Sequence, residues 1–237
     1  EHRDTPFFLY LSPALPHGPL IAPDLNVYRD KPWTIGQKEW AAMVSRLDQS
    51  VGDVLNLLDE LGIDEQTLIF FASDNGHAAN GYNRDKTEVS IGEHFQNRGP
   101  TRGKKGDSYE GAFRVPALAR WPGKIKAGQV NDHIWAFWDF LPTAAEVAGI
   151  DTSSLPPNHG ISILPTLLGK PDQQKQHEFL YWEFSRNQAI RSGNWFGHRR
   201  SGGEVELYDL SSDPEQENDL ANSTQALARR IAEWMNQ

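Results

Sequence analysis

The chain has 237 residues, 38% of them hydrophobic and 23% charged, with a net charge of −9 and no cysteine. Such a chain can bury a core, and without cysteine it excludes disulfides, zinc–thiolate centres and a cysteine nucleophile. The acidic balance argues against a dedicated nucleic-acid binder, and no apolar run is long enough to cross a membrane.

Phe7 to Leu11 reads as a first strand, an unbroken run of apolar β-formers. It leads into a loop stiffened by Pro13, Pro16 and Pro19, which holds His17 just beyond the strand end. Thr34-Ile35-Gly36-Gln37 fits the capping box that opens a helix. Trp40, Met43, Val44, Leu47, Val51, Val54, Leu55, Leu58 and Leu61 then recur at spacings of three and four, and Gly62 stops the helix. Leu68 to Ala72 is a second apolar run, read as a strand buried on both faces, and it ends in Ser73-Asp74-Asn75-Gly76. Strand, long helix, strand is a βαβ unit, which makes the two strands parallel neighbours and brings His17 and the Asp74-Asn75 pair to one edge of a sheet. Ligands bind at that edge of an open α/β sheet.

His77 to Pro100 has no usable periodicity and is too long for a simple connection, so it reads as a functional loop or a small excursion. Arg98, Arg102, Lys104 and Lys105 cluster in an otherwise acidic chain. Ala117 to Trp121 reads as a strand closed by Pro122-Gly123, and Ala136 to Gly149 as a helix. Beyond about residue 172 the texture changes. Phe179–Phe184, Gln188–Arg191 and Glu206–Leu210 read as short strands with turns between them, and Thr224–Met235 as a closing amphipathic helix. This divides the chain into an α/β domain over 1–172 and a small antiparallel subdomain over 173–237.

PFFLYLS, PHGP, MVSRLDQSVGDVL, TLIFFASDNG, TRGKKGDSYEGAFRVP, a WPG turn and LYDLSSDPEQENDLA occur in that order from Pro6 to Ala221. In order and spacing this resembles the sulfatase family of the alkaline-phosphatase-like superfamily, departing from it at Ala112, where a second glycine is usual, and in the middle loop. The resemblance implies the C-terminal part of an α/β/α sandwich with a mostly parallel sheet, followed by the antiparallel subdomain. It implies Asp74 and Asn75 as ligands of a divalent cation, usually Ca²⁺, an all-oxygen pair suited to a hard ion. It implies Lys105 on the sulfate group, and His17 near the bridging oxygen as a proton donor to the leaving group.

Phosphatase-like relatives place a histidine beside that aspartate, so Asn75 favours sulfuryl over phosphoryl transfer. The family carries an Asp-Asp metal pair and a Cys/Ser-x-Pro/Ala-x-Arg nucleophile segment in an N-terminal third, and neither is found here. The expectation is a chain inactive by itself whose partners are that N-terminal segment and a sulfated small molecule or carbohydrate, in a periplasmic or secreted enzyme. Two alternatives stay open: a non-catalytic module gripping a sulfated glycan through Arg102, Lys104, Lys105 and the C-terminal aromatics, and a phosphodiester or phosphonate hydrolase of the same superfamily.

Overall fold

The computed structural model describes residues 4–237. In chain order, helix α1 (Ile35–Glu60) leads to strand β1 (Ile69–Ala72), hairpin β2 (Asn80–Tyr82) and β3 (Glu88–Ser90), and the single turn α2 (Gly92–Phe95). The turn α3 (Glu110–Phe113), strand β4 (Ala117–Arg120) and helices α4 (Phe140–Val147) and α5 (Leu164–Leu167) follow. Strands β5 (Leu180–Phe184), β6 (Asn187–Ser192), β7 (Trp195–Arg199) and β8 (Val205–Asp209) and helix α6 (Gln225–Trp234) complete the chain. These elements form two compact units, one of residues 1–68 and 77–99, the other of residues 69–76 and 100–237.

In the first unit α1 starts and stops where its sequence dictates. The Thr34 hydroxyl accepts from Gln37 N–H while the Gln37 side chain accepts from Thr34 N–H, so two orphan donors are satisfied at once. At the other end Gly62 takes φ +66°, Ile63 N–H reaches Leu58 O and Gly62 N–H reaches Asp59 O, the paired bonds of a Schellman stop. Leu20, Met43, Val89 and Ile91 form the core of this unit, with Leu15, Trp40 and Phe95 against it. The segment read as a functional loop or small excursion, 77–100, supplies a hairpin and a helical turn that cover the start of α1. A side chain at Gly36 would meet Val89 and the Asn83 amide oxygen, so glycine permits that close packing.

Phe7–Leu11 is not a strand. These residues are exposed, Tyr10 at 79%, and belong to none of the sheets formed by the described residues. Composition alone cannot make a strand: its N–H and C=O groups need the ladder of a partner strand, and no sheet among the described residues takes in this run. The expected parallel βαβ pairing is thus replaced. β1 pairs antiparallel with β4, Ile69 opposite Arg120 and Ala72 opposite Ala117. The only parallel pairing among the described residues is the single bridge Leu20–Asn83. β1 is correspondingly half-buried rather than enclosed on both faces, and Leu118 of β4 is exposed.

In the second unit Asp139 is a buried hub. Its carboxylate accepts from Ala136 N–H, Ile161 N–H and His177 Nε2 at 2.7–2.8 Å, tying α4 to the chain that follows it. The C-terminal meander β5-β6-β7-β8 is four-stranded and antiparallel, β7 joining the three strands read individually from the sequence. Alternation along the strands gives the sheet two apolar faces. Ile190 and Leu207 face Ile231 and Met235 of the α6 region, whereas Ala189, Phe196 and Tyr208 face Tyr109, with Phe113 and Trp182 packed alongside.

At Gly197 of β7 the helix α6 lies close, since a side chain there would overlap Ile231 Cγ2. Gly197→Ala is expected to lower stability by about 1–3 kcal/mol through overpacking, read as a fall in the thermal unfolding midpoint. The loss should shrink in the Ile231→Ala background, where the methyl has room.

Candidate active site

β1 delivers the Ser73–Gly76 turn. Ser73 N–H donates to Pro116 O at 3.2 Å and Gly76 N–H to Ala112 O at 2.9 Å, which lays the turn along the segment just after α3 begins. The Ser73 hydroxyl donates to Asn75 O at 2.9 Å, and the Asn75 amide nitrogen to Gly76 O at 3.0 Å. With its nitrogen so engaged, Asn75 keeps its side-chain oxygen for a ligand, beside the exposed carboxylate of Asp74. Two oxygens of this kind suit Ca²⁺ in type but not in number, because the ion takes six to eight. Among the described residues no cluster of three or more His, Cys, Asp or Glu completes the set.

The close fit of this turn depends on glycine. A Cβ on Gly76 would overlap the Gly111 carbonyl oxygen and lie 2.8 Å from Ala112 Cα. A Cβ on Gly111 would in turn lie 2.6 Å from Gly103 O and 2.7 Å from Arg102 O. Gly111 N–H donates to Arg102 O at 2.7 Å. Three backbone segments are stacked here: the Asp74-Asn75 turn, the start of α3, and the loop that carries Lys105.

That loop, Arg102 to Tyr109, turns on left-handed Gly103 and Gly106, at φ +96° and +87°. Lys104 N–H donates to Asp107 Oδ2 at 3.1 Å, and Asp107 N–H to Lys104 O at 2.9 Å, so Lys105 is exposed at the tip of a closed turn. Arg102 is not available to a ligand in the same way. Its guanidinium lies 3.9 Å over the Tyr109 ring and donates to Gln216 O at 2.8 Å.

His17 lies in the first unit, on an exposed loop. Its N–H donates to Ala14 O at 2.8 Å and its Nδ1 faces Gly18 O at 2.9 Å. A carbonyl only accepts, so Nδ1 carries the hydrogen and Nε2 is the nitrogen left for a ligand. The structure thus places Asp74, Asn75 and Lys105 in one unit, on adjoining backbone segments, and His17 in the other.

Sequence reasoning missed a buried polar network behind Lys105. Ser108 Oγ meets His198 Nε2 at 2.9 Å, and His198 Nδ1 meets Glu206 Oε2 at 3.1 Å. That same oxygen accepts from Tyr109 OH at 2.9 Å and Tyr208 OH at 2.8 Å. Nearby, buried Glu110 pairs with Arg191 at 2.8 Å and its N–H donates to Gln216 Oε1. Burial raises the Glu110 carboxyl above its ordinary value, against the pull of Arg191 and Arg114. The one sequence signal was a histidine and a glutamate eight apart across a Ser-Gly-Gly turn, which β7 and β8 place directly opposite each other. The C-terminal aromatics are engaged as well: Trp182 stacks on Phe113 at 4.6 Å, and Phe179 on Trp234 at 4.7 Å.

Burial pushes His198 below its usual value despite the Glu206 carboxylate. For Glu206 burial works against the charge, but the hydrogen bonds from Tyr208, Tyr109 and His198 outweigh it and hold the carboxyl below the ordinary range. Both shifts act on stability with one sign. As pH falls below about 6.5 the unfolded chain protonates its histidine before folded His198 does. The Glu206 contribution is complete above about pH 4.3 and is lost as pH falls through its lower folded value. Between pH 7 and 4.5 the His198 part lowers the unfolding midpoint as pH falls, while Glu110, whose carboxyl is raised, contributes with the opposite sign. His198→Gln should flatten the slope between about pH 6.5 and 5, leaving the part due to His133, which burial also lowers. An unchanged slope would contradict a neutral, buried His198.

Comparison with known proteins identifies the family. The family model described as Sulfatase matches residues 1–150, and that described as N-sulphoglucosamine sulphohydrolase, C-terminal, matches residues 104–237. N-acetylgalactosamine-6-sulfatase of Mus musculus is 32% identical over 196 residues, 83% of this chain and 35% of the relative. The crystal structure of Ps i-CgsB superposes with a TM-score of 0.78 at 27% identity, covering 98% of this chain and 50% of that one. Its complex with k-i-k-neocarrahexaose superposes at 0.76. The phosphonate monoester hydrolase of Agrobacterium radiobacter, at 21% identity and a TM-score of 0.56 over 86% of this chain and 42% of its own, shares the fold. The chain spans about a third of the length of the mouse relative and half of that of Ps i-CgsB. It belongs to the sulfatase family and takes the alkaline-phosphatase-like fold.

Proposed function

We propose that this chain is part of an enzyme that hydrolyses sulfate esters of a carbohydrate, with Asp74 and Asn75 holding a divalent cation, Ca²⁺ by donor type, and Lys105 and His17 on the sulfate. The observation that carries the reading is the stacked backbone at Gly76, Gly111 and Gly103, which fastens the oxygen-bearing turn and the lysine-bearing loop to one scaffold. The carbohydrate substrate is favoured by two of the relatives, one named for N-acetylgalactosamine-6-sulfate chemistry and one solved with a neocarrahexaose.

A sulfate ester spreads its negative charge over non-bridging oxygens, and that charge moves toward the bridging oxygen as the S–O bond breaks. A bound cation would neutralise the former. The Lys105 ammonium, exposed on a short closed loop, adds a second fixed positive charge at the sulfate. His17, with Nδ1 fixed by Gly18 O, would present Nε2–H to the leaving oxygen when protonated and return as a base for the following step. No cysteine is present, and Ser154-Leu155-Pro156-Pro157-Asn158 lacks the arginine of the family's nucleophile segment. In this reading the nucleophile and the remaining carboxylates come from sequence other than these 237 residues, and the exposed Phe7–Leu11 run is covered by it.

The module reading loses support because Arg102 and the C-terminal aromatics serve internal packing. 4-Nitrophenyl sulfate with Ca²⁺ tests the proposal. The polypeptide alone should give no turnover. Joined to a segment supplying the nucleophile it should turn over sulfate in preference to bis(4-nitrophenyl) phosphate, with Lys105→Ala lowering kcat/KM by about 10²–10³ and His17→Ala by about 10²–10⁴. Turnover by the polypeptide alone that vanishes in Lys105→Ala would contradict the missing nucleophile. A preference for the phosphodiester would favour the phosphodiesterase alternative.

A further inference from the structure

A lysine at a loop tip is only as well placed as the loop, because its four-carbon stem adds freedom of its own. Here the loop is fastened at both ends to the C-terminal sheet and the chain that follows it. At its start, Arg102 donates to Gln216 O and lies over the Tyr109 ring. At its end, Ser108 meets His198 of β7 at 2.9 Å. The direction of that bond is set from behind. Glu206 is an acceptor that also receives Tyr109 OH and Tyr208 OH, so His198 Nδ1 carries a hydrogen toward it and Nε2 accepts from the Ser108 hydroxyl. The Tyr109 ring stacks on the imidazole with centroids 4.2 Å apart, which fixes the ring plane. Serine, histidine and glutamate in this order form a nucleophile relay in other settings. With Ser108 only 3% exposed and His198 1%, the hydroxyl points its bond inward as a tether.

We infer that Ser108 and His198 are positioning residues for Lys105: their hydrogen bond holds the Arg102–Tyr109 loop so that the ammonium meets the sulfate group. The inference rests on the role of Lys105 proposed above, and neither residue touches the substrate. A displacement of the ammonium by about 1 Å is enough to cost on the order of a hundredfold in rate.

The test is 4-nitrophenyl sulfate turnover by the catalytically competent enzyme, with thermal midpoints showing that each variant is folded. Ser108→Ala is expected to lower kcat/KM by about 10- to 100-fold, chiefly through kcat. Ser108→Thr, which restores the hydroxyl, should recover to within about threefold, and Ser108→Cys, a weaker donor of similar size, should fall between. In the Lys105→Ala background Ser108→Ala should add less than about twofold, because the residue it positions is gone. A Ser108→Ala enzyme with wild-type kcat/KM beside a crippled Lys105→Ala enzyme would overturn the inference and leave the proposed function standing. The full Ser108→Ala loss persisting in Lys105→Ala would also overturn it, as a general structural effect. Lys105→Ala with unaltered turnover would remove the proposed function and the inference together.

Discussion

The close approach of three backbone segments at Gly76, Gly111 and Gly103 is the constraint on which the second unit's candidate site depends. Backbone can lie directly on backbone only where no Cβ intervenes, and at Gly76 and Gly111 a methyl would collide with carbonyl oxygens that have no side-chain freedom to yield. The hydrogen bonds Gly76 N–H to Ala112 O and Gly111 N–H to Arg102 O lie in the same seam. The oxygen pair Asp74-Asn75 and the cation Lys105 are thereby held by main chain, the least adjustable part of a protein. In the role proposed for it, a cation at the turn facing an ammonium across one oxyanion, the site would gain from such rigidity.

Behind that seam the C-terminal meander acts as a support. One face takes α6, and the other takes Tyr109, Phe113 and the polar network of His198 and Glu206. Ion pairs and hydrogen bonds this deep stabilise little unless every member is satisfied. Glu206 Oε2 receives three donors, and Asp139, elsewhere in the unit, receives two backbone N–H groups and one imidazole. The network converts a sheet remote in sequence into an anchor for the Lys105 loop.

Local signals were the legible ones. The capping box at Thr34, the Schellman stop at Gly62, the turn after Ala72 and the closing helix all follow from residue chemistry within a few positions, and the structure shows each of them. The order and spacing of the DNG and RGKK…YEGAFRVP motifs carried the family, which the comparisons bear out. What sequence could not supply was pairing. Phe7–Leu11 has strand composition but joins no sheet among the described residues, β1 found an antiparallel partner in β4, and the 77–100 segment hid a hairpin of three-residue strands too short to show periodicity. The Ser108–His198–Glu206 chain was equally hidden, because its first bond joins residues ninety apart, a separation no spacing rule covers.

Amide hydrogen exchange at Gly76 and Gly111, compared between the wild-type chain and Gly111→Ala, tests the backbone seam most directly. The account predicts that both amides are protected in the wild type and that Gly111→Ala accelerates exchange at Gly76 as well as at position 111, because the Asp74-Asn75 turn and the Lys105 loop share one support. Gly76 keeping its protection in that variant would show the turn to be held independently, and would contradict the claim that main-chain contact joins the two halves of the candidate site.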